Sequence, residues 1–190
     1  MTAAPAFDPR RLDMAAFAQA EGRLSGEWPL ATMPRLLQDA LPLSADSPAT
    51  AVAWSARGSR KAVIGGEPEI RLQLQAHTTL RMSCQRCLQP VIVALDVQPR
   101  LRFVRGEQQA EALDEDSEDE DVLALAATLD LLQLTEDELI LALPLVPRHE
   151  HCPQPLPMSV GEAEIASADD AEHAFAGLAS LLRDGGGKPS

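Results

Sequence analysis

Tyrosine is absent from this 190-residue chain, and only six aromatic side chains stand in it: Phe7, Phe17, Trp28, Trp54, Phe103 and Phe175. A row of rings on which single-stranded bases could stack is therefore poorly supplied. Positive charge is also scarce. Sixteen Lys and Arg face 29 Asp and Glu, a formal net charge of -13. That balance argues against broad, non-specific nucleic-acid binding, which needs Lys and Arg to displace counterions from phosphates, and it suits a basic partner. No apolar run approaches the ~18 residues of a membrane span, so no membrane partner is expected. Nor does the N-terminus read as a secretory signal, because Asp8, Arg10, Arg11 and Asp13 arrive before any long apolar stretch. A cytoplasmic setting is expected. The cysteines are Cys84, Cys87 and Cys152, an odd number, and without an export signal stable disulfides are not expected. GxSxG, GxxxxGK[ST] and HExxH are all missing, and with them the usual marks of hydrolases, nucleotide binders and metalloproteases. The expectation is a protein that is not an enzyme and takes no small-molecule substrate.

What is present is enough apolar residue, 45% of the chain, to bury a core. Near the N-terminus Asp8 before Pro9 predicts a helix cap, with Leu12, Ala16 and Ala20 on one face and Phe17 beside them. Gly22 and Gly26 punctuate the chain, and a second short helix is predicted over Pro34 to Leu41. From Thr50 the period becomes two: Val52, Trp54 and Ala56; then Ile70, Leu72, Leu74 and Ala76; then Val91, Val93, Leu95 and Val97; then Leu101 and Phe103. This alternation predicts three or more antiparallel strands across 50–105, with a turn at Gly65 and Gly66 between the first pair.

Glu107 to Asp121 holds nine acidic residues and no basic one. Like charge at that density repels itself, so 106–121 is expected to be an extended, mobile loop. LDLLQL at 129–134 reads as a strand or short helix, and Thr135 with Glu138 has the spacing of a capping box before Leu139, Ile140 and Leu143. Five prolines between Pro144 and Pro157 make that stretch irregular. The expected class is α+β: one domain over 1–156, an antiparallel sheet flanked by short N- and C-terminal helices with a disordered acidic loop. Residues 157–190 would form an irregular segment, a helix at about 170–183 (Ala171, Phe175, Leu178, Leu182) and a flexible GGGKPS tail.

The strongest chemical signal is Cys84-Gln85-Arg86-Cys87 between two predicted strands. A C-x2-C turn aims two thiols at one point, which is half of a four-coordinate structural zinc site. PRHEHC (147–152) can complete it with Cys152 and His151, or His149 in place of His151. Two other readings stand beside zinc. In one, the cysteines are small residues at a strand end and the histidines are solvated. In the other, they form a redox pair, which the strand-like flanks disfavour because such chemistry uses a helix N-terminus.

Charge is unevenly spread. Arg57, Arg60, Lys61, Arg71, Arg81, Arg86, Arg100, Arg102 and Arg105 are opposed over that span only by Glu67, Glu69 and Asp96, a local balance of +6. These nine are candidate contacts for RNA or another partner; equally, they are the ordinary polar positions of half-buried strands.

The run LRMSCQRCLQPV (80–91), the acidic break, LDLLQLTEDELILALPLVPRHEHC (129–152) and AFAGLASLLR (174–183) together resemble the bacterial YceD family, the large ribosomal RNA subunit accumulation proteins. RRLDMAAFAQAEGRLSGEWPL (10–30) is similar to the family's usual start. The chain departs from the pattern in its long acidic segment and around 157–170. The resemblance implies a cytoplasmic, non-enzymatic factor for synthesis, processing or stability of 23S rRNA, with no catalytic residue to carry over. Its partner would be rRNA or a basic large-subunit ribosomal protein, and the net charge favours the latter on encounter. The alternative is a small zinc or redox C-x2-C module with no ribosomal link.

Overall fold

The computed structural model describes residues 7–43, 47–63, 68–115, 117 and 119–153. The alternating segments form one six-stranded sheet: β1 Arg23–Pro29, β2 Ala51–Lys61, β3 Glu69–Ser83, β4 Pro90–Val97, β5 Arg100–Val104 and β6 Asp121–Ala124. With the helices α1 Met14–Gln19, α2 Glu107–Asp114 and α3 Leu131–Leu141 this is an α+β fold. β3 is the hub. It pairs antiparallel with β2 along one edge, and with β5 and then β4 end to end along the other. β1 extends the sheet beyond β2, and β6 joins β5 in parallel.

Period two decides which side chains face inward. Val52, Trp54 and Ala56 of β2, Leu72, Leu74, Ala76, Leu80 and Met82 of β3, and Leu101 and Phe103 of β5 are buried. They join Leu12, Met14 and Phe17 from the N-terminus and Leu131, Leu132 and Leu139 of α3 in one core. Phe17 is wholly buried, and Gly58 of β2 makes room for it: a Cβ there would lie 2.6 Å from the ring. On the other face α2 packs against β6 and β5, burying Ala110 and Val122, the latter in register with Arg102, while Arg57, Gln73, Gln75 and Arg100 are exposed.

Several expectations are corrected. α1 starts at Met14, capped by Asp13, whose carboxylate accepts from Ala16 N at 3.0 Å. Asp8 instead closes a turn, accepting from Arg10 N at 2.8 Å. A helix from Pro9 is prevented because Leu12 is held extended by paired backbone bonds to Leu129, 2.8 Å each way. The predicted helix at 34–41 is only a 3-10 turn over Leu36–Gln38. The span around Gly22 and Gly26, read as punctuation, contains β1; Gly26 lets the Trp54 indole lie 3.4 Å from where a Cβ would be.

The acidic stretch is also more ordered than expected. Glu107–Asp114 is helical, its first turn holding Glu107 where the helix dipole favours an anion. Asp114 then accepts from Val122 N at 2.7 Å, and β6 begins at Asp121. Last, α3 is capped by Asp130, which accepts from Leu132 N and Gln133 N. Thr135 lies inside that helix and donates its hydroxyl to the Leu131 carbonyl at 2.6 Å. The expected Gly65–Gly66 turn and the helix at 170–183 lie outside the described residues.

Candidate metal centre

The chain leaves β3 at Ser83 and re-enters the sheet at Pro90, and Cys84 and Cys87 sit in the turn between. Cys84 N donates to the Gln89 carbonyl (3.0 Å), and Leu88 N returns to the Cys84 carbonyl (2.8 Å). Leu88 takes φ +61° to close it. Both thiols are buried. The segment after α3 docks on this turn: Gln85 N donates to the Pro147 carbonyl at 2.9 Å. That contact places His149 and Cys152 beside the thiols. One ligand atom from each of Cys84, Cys87, His149 and Cys152 lies within 4.8 Å of every other.

This grouping fits a tetrahedral metal ion. Zn–S bonds of about 2.3 Å and Zn–N bonds of about 2.1 Å imply S···S separations near 3.8 Å and S···N near 3.6 Å. The observed separations are 3.9 Å from Cys84 Sγ to Cys152 Sγ and 3.4 Å from Cys87 Sγ to His149 Nδ1. His149 Nε2 lies 3.0 Å from the Pro90 carbonyl. A carbonyl only accepts, so that nitrogen carries the proton and Nδ1 presents its lone pair to the thiols. The histidine expected first, His151, is exposed and stands outside the group. Spacing alone cannot separate His149 from His151, two residues apart; the Pro147 and Pro90 contacts do.

The cluster's electrostatics favour thiolate at Cys84. Burial pushes the Cys84 thiol up, but hydrogen bonds from the backbone N–H groups of His149, Arg86 and Cys87, and from the Cys87 side chain, bring it down to about 5. Cys87 is raised, first by burial and then by the neighbouring Cys152 and Cys84 sulfurs. Arg86 supplies a counter-charge. Its Nε lies 3.0 Å from Cys152 Sγ, and its Nη2 donates to the carbonyls of His149 and Glu150. This cation, a candidate partner contact by sequence, is thus engaged by the cysteine cluster.

The other candidate cations divide. Arg71 and Arg102 close a four-membered network with Glu69 and Glu120, at 2.8–3.5 Å. Burial raises the Glu69 carboxyl, but Arg71 and Arg102 outweigh it and hold the group below its ordinary value. Arg60 and Lys61 are exposed at the end of β2, Lys61 opposite Glu69. Arg81 is half-buried in β3, and Arg105 follows β5. Arg57 and Arg100 fall on one cross-strand line with Gln73, and β1 adds Arg23 opposite Arg57. Arg23 escaped the sequence reading because β1 was not recognised as a strand.

No helix among the described residues is long and apolar enough to cross a membrane. No solved structure matches the chain. The family model described as large ribosomal RNA subunit accumulation protein YceD matches residues 72–182. That span runs from the sheet's central strand through both halves of the Cys/His cluster, and on it the chain belongs to the YceD family.

Proposed function

We propose that the chain supports accumulation of 23S rRNA as a cytoplasmic, non-enzymatic binding factor, its domain stapled by a structural zinc ion on Cys84, Cys87, Cys152 and His149. The observation that carries this reading is the closed ligand set. Four protein ligands converge from two segments, and a zinc so held keeps no open position for a reacting water. Such a site contributes folding energy rather than chemistry. Family membership supports the ribosomal setting.

The partner in this reading is rRNA, met by cations gathered on the exposed part of the outer sheet face, over β1, β2, β3 and the start of β5. A second reading, a basic large-subunit ribosomal protein, is favoured by the net charge of -13. Affinity purification of the full chain from cell extract, with and without nuclease, separates them. Recovery of 23S rRNA that nuclease abolishes supports the first. A basic ribosomal protein that survives nuclease supports the second. Unchanged 23S rRNA levels on depletion of the protein would refute both. Metal analysis of protein purified without chelator is expected to find one zinc per chain.

A further inference from the structure

We infer that the outer face of the sheet is an RNA-backbone surface centred on Arg23, Arg57 and Arg100, with Gln73 between them; this rests on rRNA being the partner. The strand register puts the four residues in a single row. Arg23 of β1 is opposite Arg57 of β2, Arg57 opposite Gln73 of β3, and Gln73 opposite Arg100 of β5. Neighbouring strands lie about 4.8 Å apart, so the row spans about 14 Å, over which a nucleic-acid strand presents several phosphates. All four side chains are exposed.

The contrast with the adjacent row is what gives the arrangement meaning. There Arg71 and Arg102, also opposite each other, are neutralised by Glu69 and Glu120. Acids approach the row only at its β5 end, where Asp119, Glu120 and Asp121 lie near Arg100, and Glu120 is already held by Arg71 and Arg102. None of Arg23, Arg57 and Arg100 forms an ion pair among the described residues. Like charges directly opposite on a sheet destabilise it, so Arg23 against Arg57 is a cost that folding alone does not explain. On the far side of the row lie neutral hydrogen-bonding groups, Ser25, Ser55 and Gln75 in register. On that side of the row the next acids, Glu27 and Asp96, are four residues further along their lines. At about 3.4 Å per residue that is about 14 Å, beyond the screening length at physiological salt. The row carries no aromatic side chain, so it would read charge and backbone shape rather than stack on bases. An anionic polypeptide is the competing occupant.

The test uses fluorescence anisotropy on the full chain, with a 20-nucleotide polyuridine RNA and an RNA duplex of equal length, over roughly 50 to 200 mM salt. Arg23→Gln/Arg57→Gln/Arg100→Gln is compared with wild type and with Arg11→Gln/Arg60→Gln/Arg148→Gln, which removes equal charge away from this face. Three phosphate contacts at about 0.7 each make the slope of log affinity against log salt shallower by about 2 in the row variant only. Across that fourfold salt change wild type would lose about 18-fold more affinity than the variant. The RNA giving the steeper wild-type slope identifies whether single strands or helices are met. The row variant should melt no lower than wild type, since it relieves the Arg23–Arg57 repulsion, which separates lost binding from lost fold. An unchanged slope, an equal loss in the control variant, or displacement of RNA by polyglutamate at matched charge overturns the inference. So does wild type that binds neither RNA. If the purification from extract nevertheless recovers 23S rRNA, the rRNA reading stands and only this surface fails; if it recovers none, the reading itself has failed.

Discussion

Stripping the segment after α3 of its ligands, with His149→Ala/Cys152→Ser, should unfasten the domain, and the size of the effect can be worked from chain separation. Cys87 and His149 are 62 residues apart, and Cys84 and Cys152 are 68 apart. A metal joining them closes a loop of that length in any chain that retains the ion. By the chain-entropy relation for cross-links, such a closure contributes about 4 kcal/mol. For a domain of this size that is roughly 8–16 °C in melting temperature. The assay is thermal unfolding followed by circular dichroism, for wild type and the double variant, each with and without a strong chelator. Wild type should fall with chelator to near the temperature of the variant, and the variant should not respond. A chelator that moves neither protein, or both equally, would refute the reasoning and return Cys84 and Cys87 to ordinary buried side chains.

Gly58→Ala should destabilise by about 1–3 kcal/mol, because the new Cβ meets the Phe17 ring at 2.6 Å and Ala18 backbone at 3.1 Å; an unchanged denaturant midpoint would mean that α1 does not seat there. Glu136 accepts from Arg35 N at 2.7 Å and Leu36 N at 3.1 Å, joining α3 to the 3-10 turn. Glu136→Ala should therefore cost about 1–3 kcal/mol through donors left unpaired, and Glu136→Gln less, read by chemical denaturation. Burial, then the charges of Asp121 and Asp137, raises the Glu138 carboxyl above 4.5. A raised carboxyl opposes folding at neutral pH and ceases to do so as pH falls below its ordinary value. Glu138→Gln should thus raise the melting temperature at pH 7, with the gain fading toward pH 4; a gain independent of pH would exclude the electrostatic cause.

The central strands were legible because their signal is local. Leu72, Leu74 and Ala76 alternate with Arg71, Gln73 and Gln75, and period two needs no partner to be seen. β1 was not legible, since its burial is set from outside: Gly26 sits under Trp54, and Trp28 stacks on the same indole at 4.2 Å. In the acidic stretch, charge counting overlooked that Ala110 can be buried while the carboxylates stay in water, and that Glu120 reaches Arg71 and Arg102. The cap of α3 shows competition between two good signals. Asp130 takes it because Arg10 also binds that carboxylate at 2.9 Å, whereas Thr135 is satisfied within the helix. The metal cluster was half legible: C-x2-C is a sequence pattern, but the choice of histidine belongs to tertiary contacts. The arginine row required the register of four strands, which no single-strand pattern contains.

The placement of β3 has an evolutionary consequence. Its 15 residues pair with β2 on one edge and with β4 and β5 on the other. A one-residue insertion within it would turn Leu72 and Leu74 outward and Gln73 and Gln75 inward, disturbing three pairings at once. Core and arginine row would be lost together, with no intermediate sequence that keeps either. Length changes should instead collect at the break between β4 and β5, at Gln98 and Pro99, where the two short strands meet the same edge and an added residue displaces only one of them.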